Sequence, residues 1–146
     1  MSTAKDIAAQ ITSRIQGITI ANGFLTDIGL CVYRGRRRLD ETNLPCAVIS
    51  EGADQVVEHL RASARVIQKY SIEGHTECDA DHPNDKAHDI ISDLKRALFT
   101  GDITFGGPVK KVEYNGRNIV PREDGFKAVA ASIDIDISYV DQLTAP

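Results

Sequence analysis

Phe126-Lys-Ala-Val-Ala-Ala-Ser-Ile-Asp-Ile-Asp-Ile-Ser-Tyr-Val140 is the stretch whose reading decides the fold. Val129, Ala131, Ile133, Ile135, Ile137 and Tyr139 share one parity, and Ser132, Asp134, Asp136 and Ser138 share the other. A period of two predicts a β-strand with one buried and one wet face. A helix is disfavoured, because Asp134 and Asp136 would interrupt any apolar stripe at 3.6 residues per turn. At about 3.3 Å per residue the strand spans about 45–50 Å, so it outruns its own domain or bends.

Two turn signals precede it. Asn115-Gly116 and Asp124-Gly125 suit two-residue hairpin loops, since Asn, Asp and Gly tolerate positive φ. Counting back from them sets Val112 opposite Ile119 and Val120 opposite Val129. The expectation is a three-stranded meander from Val109 to Val140, with a short middle strand because Pro121 lacks an amide donor. The far half of the long strand then needs another neighbour.

That neighbour is read at Ala62–Gly74, where Ala64, Val66, Tyr70 and Ile72 alternate with Arg65, Lys69, Ser71 and Glu73. Ile67 and Gln68 break the alternation, which suggests a bulge. The two long segments are expected side by side and antiparallel. Upstream, Thr3 to Asp6 reads as a capping box, and Ala4, Ile7, Ala8, Ile11 and Ile15 keep helical spacing. Gly17-Ile18 reads as a Schellman end. Ile18 to Asp27 is irregular, with Asn22-Gly23 as a turn. Gly29–Tyr33 and Leu44–Ser50 read as an antiparallel hairpin, and Glu51-Gly-Ala-Asp54 as a turn. A second helix is expected from Asn84 to Phe99 on Ala87, Ile90, Ile91, Leu94, Ala97 and Leu98. Lys95 and Arg96 lie in its last turn and Gly101 just past its end. The fold class is therefore α+β: a single antiparallel, or mixed, twisted sheet with a C-terminal β-meander and two main helices on one face.

The 146 residues, 42% hydrophobic and 26% charged, fit one domain (1–146) with a genuine core. No apolar run approaches a membrane span, and the N-terminal residues lack the pattern of a signal peptide. Cys31, Cys46 and Cys78, an odd set without framework spacing, read as reduced thiols of a cytosolic protein. A net charge of −4 and 5% aromatics disfavour bulk nucleic-acid affinity and base stacking. A local exception is the loop from Arg34 to Asn43, where Arg34, Arg36, Arg37 and Arg38 precede Asp40 and Glu41. It is either a solvated tip or a contact for a polyanion or an acidic protein surface.

His75, Cys78, His82 and His88 are the one cluster of metal-ligand types, but H-x2-C-x3-H matches no zinc signature, and a polar loop leading into the second helix accounts for it better. Asp134 and Asp136 could act as an acid/base pair on their shared face, yet with no convergent groups in the sequence they serve to keep it wet. Nucleophile elbows, phosphate loops and dinucleotide fingerprints are absent. The sequence points to no enzyme, no cofactor and no metal.

The order helix, hairpin, long strand, helix, meander resembles the tail terminator (tail completion) proteins of long-tailed bacteriophages, the minor tail protein U group. The resemblance is carried by Tyr70-Ser-Ile-Glu-Gly74, Asp93-Leu-Lys-Arg-Ala-Leu-Phe99, Val112-Glu-Tyr-Asn-Gly-Arg117 and Val120-Pro-Arg-Glu-Asp-Gly125, with the final strand ending Ile137-Ser-Tyr139. It covers about residues 62–139. It implies a structural protein without catalytic residues or cofactor that forms a six-fold ring on the tail tube. The ring would stop tube growth and contact the neck or head-completion protein, with DNA passing through unread and no membrane partner. It would sit at the tail–neck junction of the virion, assembled in the bacterial cytoplasm. Arg34, Arg36, Arg37 and Arg38 are then expected to form an assembly loop. Two other classes stand beside it: a nucleic-acid-binding module using those arginines, and a metal-dependent hydrolase built on His75, Cys78 and His82.

Overall fold

A computed structural model describes residues 3–35, 44–79, 81–120 and 128–144. Helix α1 spans Thr3–Gln16 and α2 spans Pro83–Phe99. Five strands, β1 (Val32–Arg34), β2 (Cys46–His59), β3 (Ser63–Glu77), β4 (Val109–Val120) and β5 (Ala128–Gln142), form one sheet in the order β1-β2-β3-β5-β4. The fold is α+β, with a mixed, mostly antiparallel sheet.

The alternation in the final strand is realised residue for residue. Val129, Ala131, Ile133, Ile135, Ile137 and Tyr139 are buried, while Asp134 is exposed and Ser132, Asp136 and Ser138 are half-buried. β3 is its partner, and their register runs without a break from Ser63–Gln142 to Glu77–Ala128. On the same face Ala64, Val66, Tyr70 and Ile72 meet Ile7, Ile11 and Ile15 of α1 and Ala87, Ile90, Ile91, Leu94 and Leu98 of α2 in one core. Each large side chain buried there contributes about 1.5–3 kcal/mol of transfer free energy. Gly74 lets α2 come close: a β-carbon there would lie 2.5 Å from Ile90 Cγ2 and 3.0 Å from Ile28 Cδ1.

Several local expectations are corrected. Asn115-Gly116 does not turn the chain; it lies inside β4, and Gly116 at φ +110° accommodates a bulge between Tyr114 and Arg117. Val112 therefore faces Ile137 and not Ile119, while Ile119 faces Ala131 and Val120 faces Ala130. The reason is β5 itself: it offers a partner along all of β4, and a hairpin at Asn115 would give up half of those pairs. Tyr114 also packs edge-on against Phe99 and lies under Lys95 Nζ, 4.6 Å from its ring centroid. The C-terminal strands thus form one long antiparallel pair. Pro121 and Asp124-Gly125 lie outside the described residues, as do Phe126 and Lys127.

β1 begins at Val32, after a short 3-10 turn at Ile28–Leu30, and runs parallel to β2 with Val32 beside Ala47. The segment between Arg34 and Cys46 is long enough to carry the chain back to the start of a parallel neighbour, so no hairpin is required. Glu51-Gly-Ala-Asp54 is also not a turn but a bulged stretch of β2. The irregularity expected at Ile67-Gln68 of β3 belongs to β2 opposite it, where the register shifts between Glu51 and Asp54 and again between Val56 and Glu58. Helix α1 starts at Thr3 itself and closes through Gly17 N–H to Arg14 O (3.2 Å) and Ile18 N–H to Ile15 O (3.0 Å). These are i to i−3 bonds and not a Schellman pair.

Candidate assembly surface

The regular pair β3–β5 carries the core, and the irregularities are confined to the strands flanking it. β1 covers β2 only from Ala47 to Ile49. Among the described residues, β2 from Ser50 to His59 pairs with β3 on one side and with nothing on the other. Every residue of this half-strand is exposed, including Val56 (58%) and Val57 (61%). At the opposite margin, among the described residues, β4 pairs with β5 alone. Among the described residues the sheet thus has two long unpaired edges, one on β2 and one on β4.

Arg34, at the end of β1, lies 3.5 Å from Glu51 of β2, both side chains about half exposed. Together with Gly35 and Ile49 they line a hollow of about 450 Å³. Arg36, Arg37 and Arg38 lie outside the described residues. On the sheet face away from the helices, Asp134 and Asp136 border a second hollow of about 320 Å³ with Ser50, Lys69, Ser71 and Asn115. Asp136 stands opposite Lys69 on β3 and Glu113 on β4, so the paired carboxylates lie in a mixed-charge patch.

The metal-type residues are dispersed. His75 Nε2 is 3.1 Å from Glu73 Oε2 along β3, too far off line for a hydrogen bond. Cys78 packs against the core, His82 precedes α2 without capping it by its side chain, and His88 Nδ1 lies 3.5 Å from an Arg117 nitrogen. No group of three or more His, Cys, Asp or Glu gathers among the described residues. No helix among them is long and apolar enough to cross a membrane.

Burial pushes the Cys46 thiol up from its ordinary 9.0 to about 11, with Cys31 and Glu73 adding to the shift. Burial likewise raises Tyr139 from 10.0 to about 12, helped by Asp141, Asp54 and Glu51. In both groups the charged form is the deprotonated one, and its folded pKa lies above its unfolded value. The unfolded chain thus loses these protons first, so their contribution is intact below about pH 9 and is lost as pH rises toward 11–12. Urea titrations should show stability insensitive to these groups up to about pH 9 and falling above it. A stability that rises between pH 9 and 11 would contradict the burial of Cys46.

Two features escaped the sequence reading. The free half of β2 was one; the pattern Gln55-Val-Val-Glu58 with its β-branched pair was the available signal. The other was Asp93, a carboxylate three residues after Ile90 on the apolar side of α2, which the structure buries. No protein-family model matches the chain, and no curated protein aligns with it significantly.

Proposed function

We propose that this chain is a structural virion protein that caps the tail tube of a long-tailed bacteriophage as a six-fold ring, ends tube growth and joins the tail to the neck or head. The observation that carries this reading is the sheet with its two long open margins. β2, β3 and β5 run 14 or 15 residues each, and the outer half of β2, Ser50–His59, is exposed throughout. A lone domain needs no such length, and an open edge is either blunted by charge and bulges or covered by a neighbour. The segments resembling tail terminators supply the context: Tyr70–Gly74 and Val112–Arg117 lie on β3 and β4, and Asp93–Phe99 closes α2.

Arg34, Arg36, Arg37 and Arg38 are assigned to contact with an acidic tube or neck subunit. Reversing Arg36 and Arg37 to Glu should change stability by no more than about 0.5 kcal/mol. Attachment should nonetheless weaken, because like charges then face each other. The test is complementation of a phage genome lacking the gene. Loss of the protein should produce over-long or headless tails. The double reversal should do the same at normal protein abundance. Normal virions without the protein would sink the reading altogether. Normal virions with both arginines reversed would reduce the loop to a solvated tip. Tight DNA binding with a steep salt dependence, abolished by the reversal, would favour a nucleic-acid-binding module.

A further inference from the structure

We infer that copies of this chain join head to tail through opposite edges of the sheet, the outer half of β2 in one copy against β4 of the next. The inference rests on the self-assembly in the preceding reading and deepens it by naming the joint; it does not require a tail tube.

Three observations lead to it. The first is charge. Between Ser50 and His59 the edge left unpaired among the described residues carries Glu51, Asp54 and Glu58 and no lysine or arginine, whereas β4 carries Lys110, Lys111 and Arg117 against the single Glu113. Arg117 lies 3.5 Å from His88 Nδ1, and three ion pairs already involve the edges: Glu51 with Arg34 (3.5 Å), Glu58 with Arg65 (3.6 Å) and Lys111 with Glu113 (2.7 Å). All six side chains are 44% or more exposed, so these pairs contribute little and can exchange at a joint. An acidic edge against an acidic edge, or a basic against a basic, is repulsive. Charge thus selects β2 against β4 and rejects the two-fold alternatives.

The second observation is direction. β2 and β5 run one way and β3 and β4 the other. If the next copy keeps the same orientation, its β2 lies antiparallel to the β4 it meets, and the up-down alternation continues across the joint. A repeated joint of this kind uses two different surfaces and therefore closes into a ring or grows as a filament.

The third is the form of the edges. β2 and β4 each contain two register shifts, while the β3–β5 pair has none. Bulges break an edge into short regular stretches, the usual protection against arbitrary strand addition. A partner must then match in side chains as well as backbone. Exposed Val56 and Val57 on one edge and Tyr114 and Val120 on the other supply apolar area for that match.

The test uses two variants of the full chain, Asp54→Lys with Glu58→Lys, and Lys110→Glu with Lys111→Glu. All four positions are exposed, so the fold should survive. Sedimentation velocity and native mass spectrometry should show the wild-type chain assembling with concentration and dissociating as salt rises. Each variant alone should need a concentration roughly tenfold or more higher to assemble. An equimolar mixture should recover assembly, because both of its joints pair opposite charges, and the species should contain the variants in equal numbers. Wild-type chain that stays monomeric at the highest soluble concentration overturns the joint. So does assembly by either variant alone at wild-type concentrations, or a mixture that fails to recover. Assembly that obeys the charge rule while virions lacking the protein have normal tails would instead overturn the tail reading and leave the joint standing.

Discussion

Gly29→Ala should lower the unfolding free energy by about 3 kcal/mol, the upper range for forcing atoms into a packed interior. Gly29 sits in the 3-10 turn Ile28–Leu30, directly against the end of α1, and its amide donates to Ile18 O at 2.9 Å. A β-carbon there would strike the Ile15 carbonyl oxygen and lie 2.7 and 2.8 Å from the Ile18 oxygen and nitrogen. These are backbone atoms at a helix terminus, so no rotamer change relieves them. The chain after α1 must therefore move outward, loosening Ile15, Ile18 and Ile28 together, all fully buried. Gly101→Ala is the useful contrast. Gly101 has φ +83° and open space around a β-carbon, so its cost is backbone strain alone, about 1 kcal/mol. Urea denaturation of both variants distinguishes them, and a Gly29→Ala midpoint equal to wild type would refute the close approach.

Asp93→Ala should cost about 3–4 kcal/mol, comparable to breaking a buried charged network from one side. The Asp93 side chain accepts the Leu25 amide at 3.0 Å, the Thr26 amide at 2.8 Å and the Thr26 hydroxyl at 2.6 Å, with only 2% of the residue exposed. It ties the irregular Ile18–Asp27 segment to α2, a tie reinforced by Arg96, which donates to Gly23 O at 2.8 Å and stacks on Phe24. Removing the carboxylate leaves the buried Thr26 amide and hydroxyl without this acceptor, and frees the part-buried Leu25 amide. Asp93→Asn keeps the shape and one acceptor oxygen, so its loss should be smaller, about 1–2 kcal/mol. Hydrogen exchange gives a local readout: the Leu25 and Thr26 amides should lose protection in Asp93→Ala while the β3–β5 amides keep theirs relative to global stability. Unchanged protection at Leu25 and Thr26 would remove Asp93 from this role.

The residues that were legible in advance are those whose environment repeats with a fixed period. Ile133, Ile135 and Ile137 alternate with Asp134 and Asp136, and Ile7, Ile11 and Ile15 recur at one helical face, so periodicity alone places them in the core. Asp93 was hidden because its three acceptor contacts come from a segment 67 or 68 residues away in the chain. Gly29 and Gly74 were silent for the same reason: the atoms that exclude a side chain belong to Ile15, Ile18 and Ile90.

By itself the sequence determined two amphipathic helices, a pair of long strands with one wet face, and their joining side by side, because each follows from local periodicity and the need to bury one face. Tertiary structure decided the rest. Asn115-Gly116 is compatible with a hairpin turn or a bulge, and only the presence of β5 along the whole of β4 selects the bulge. Gly29–Ser50 is compatible with a hairpin or a parallel return, and the sheet order selects the parallel one. Which edges remain unpaired among the described residues, and that one is acidic and the other basic, depends on strand order, a property of long-range pairing that no local pattern of residues encodes.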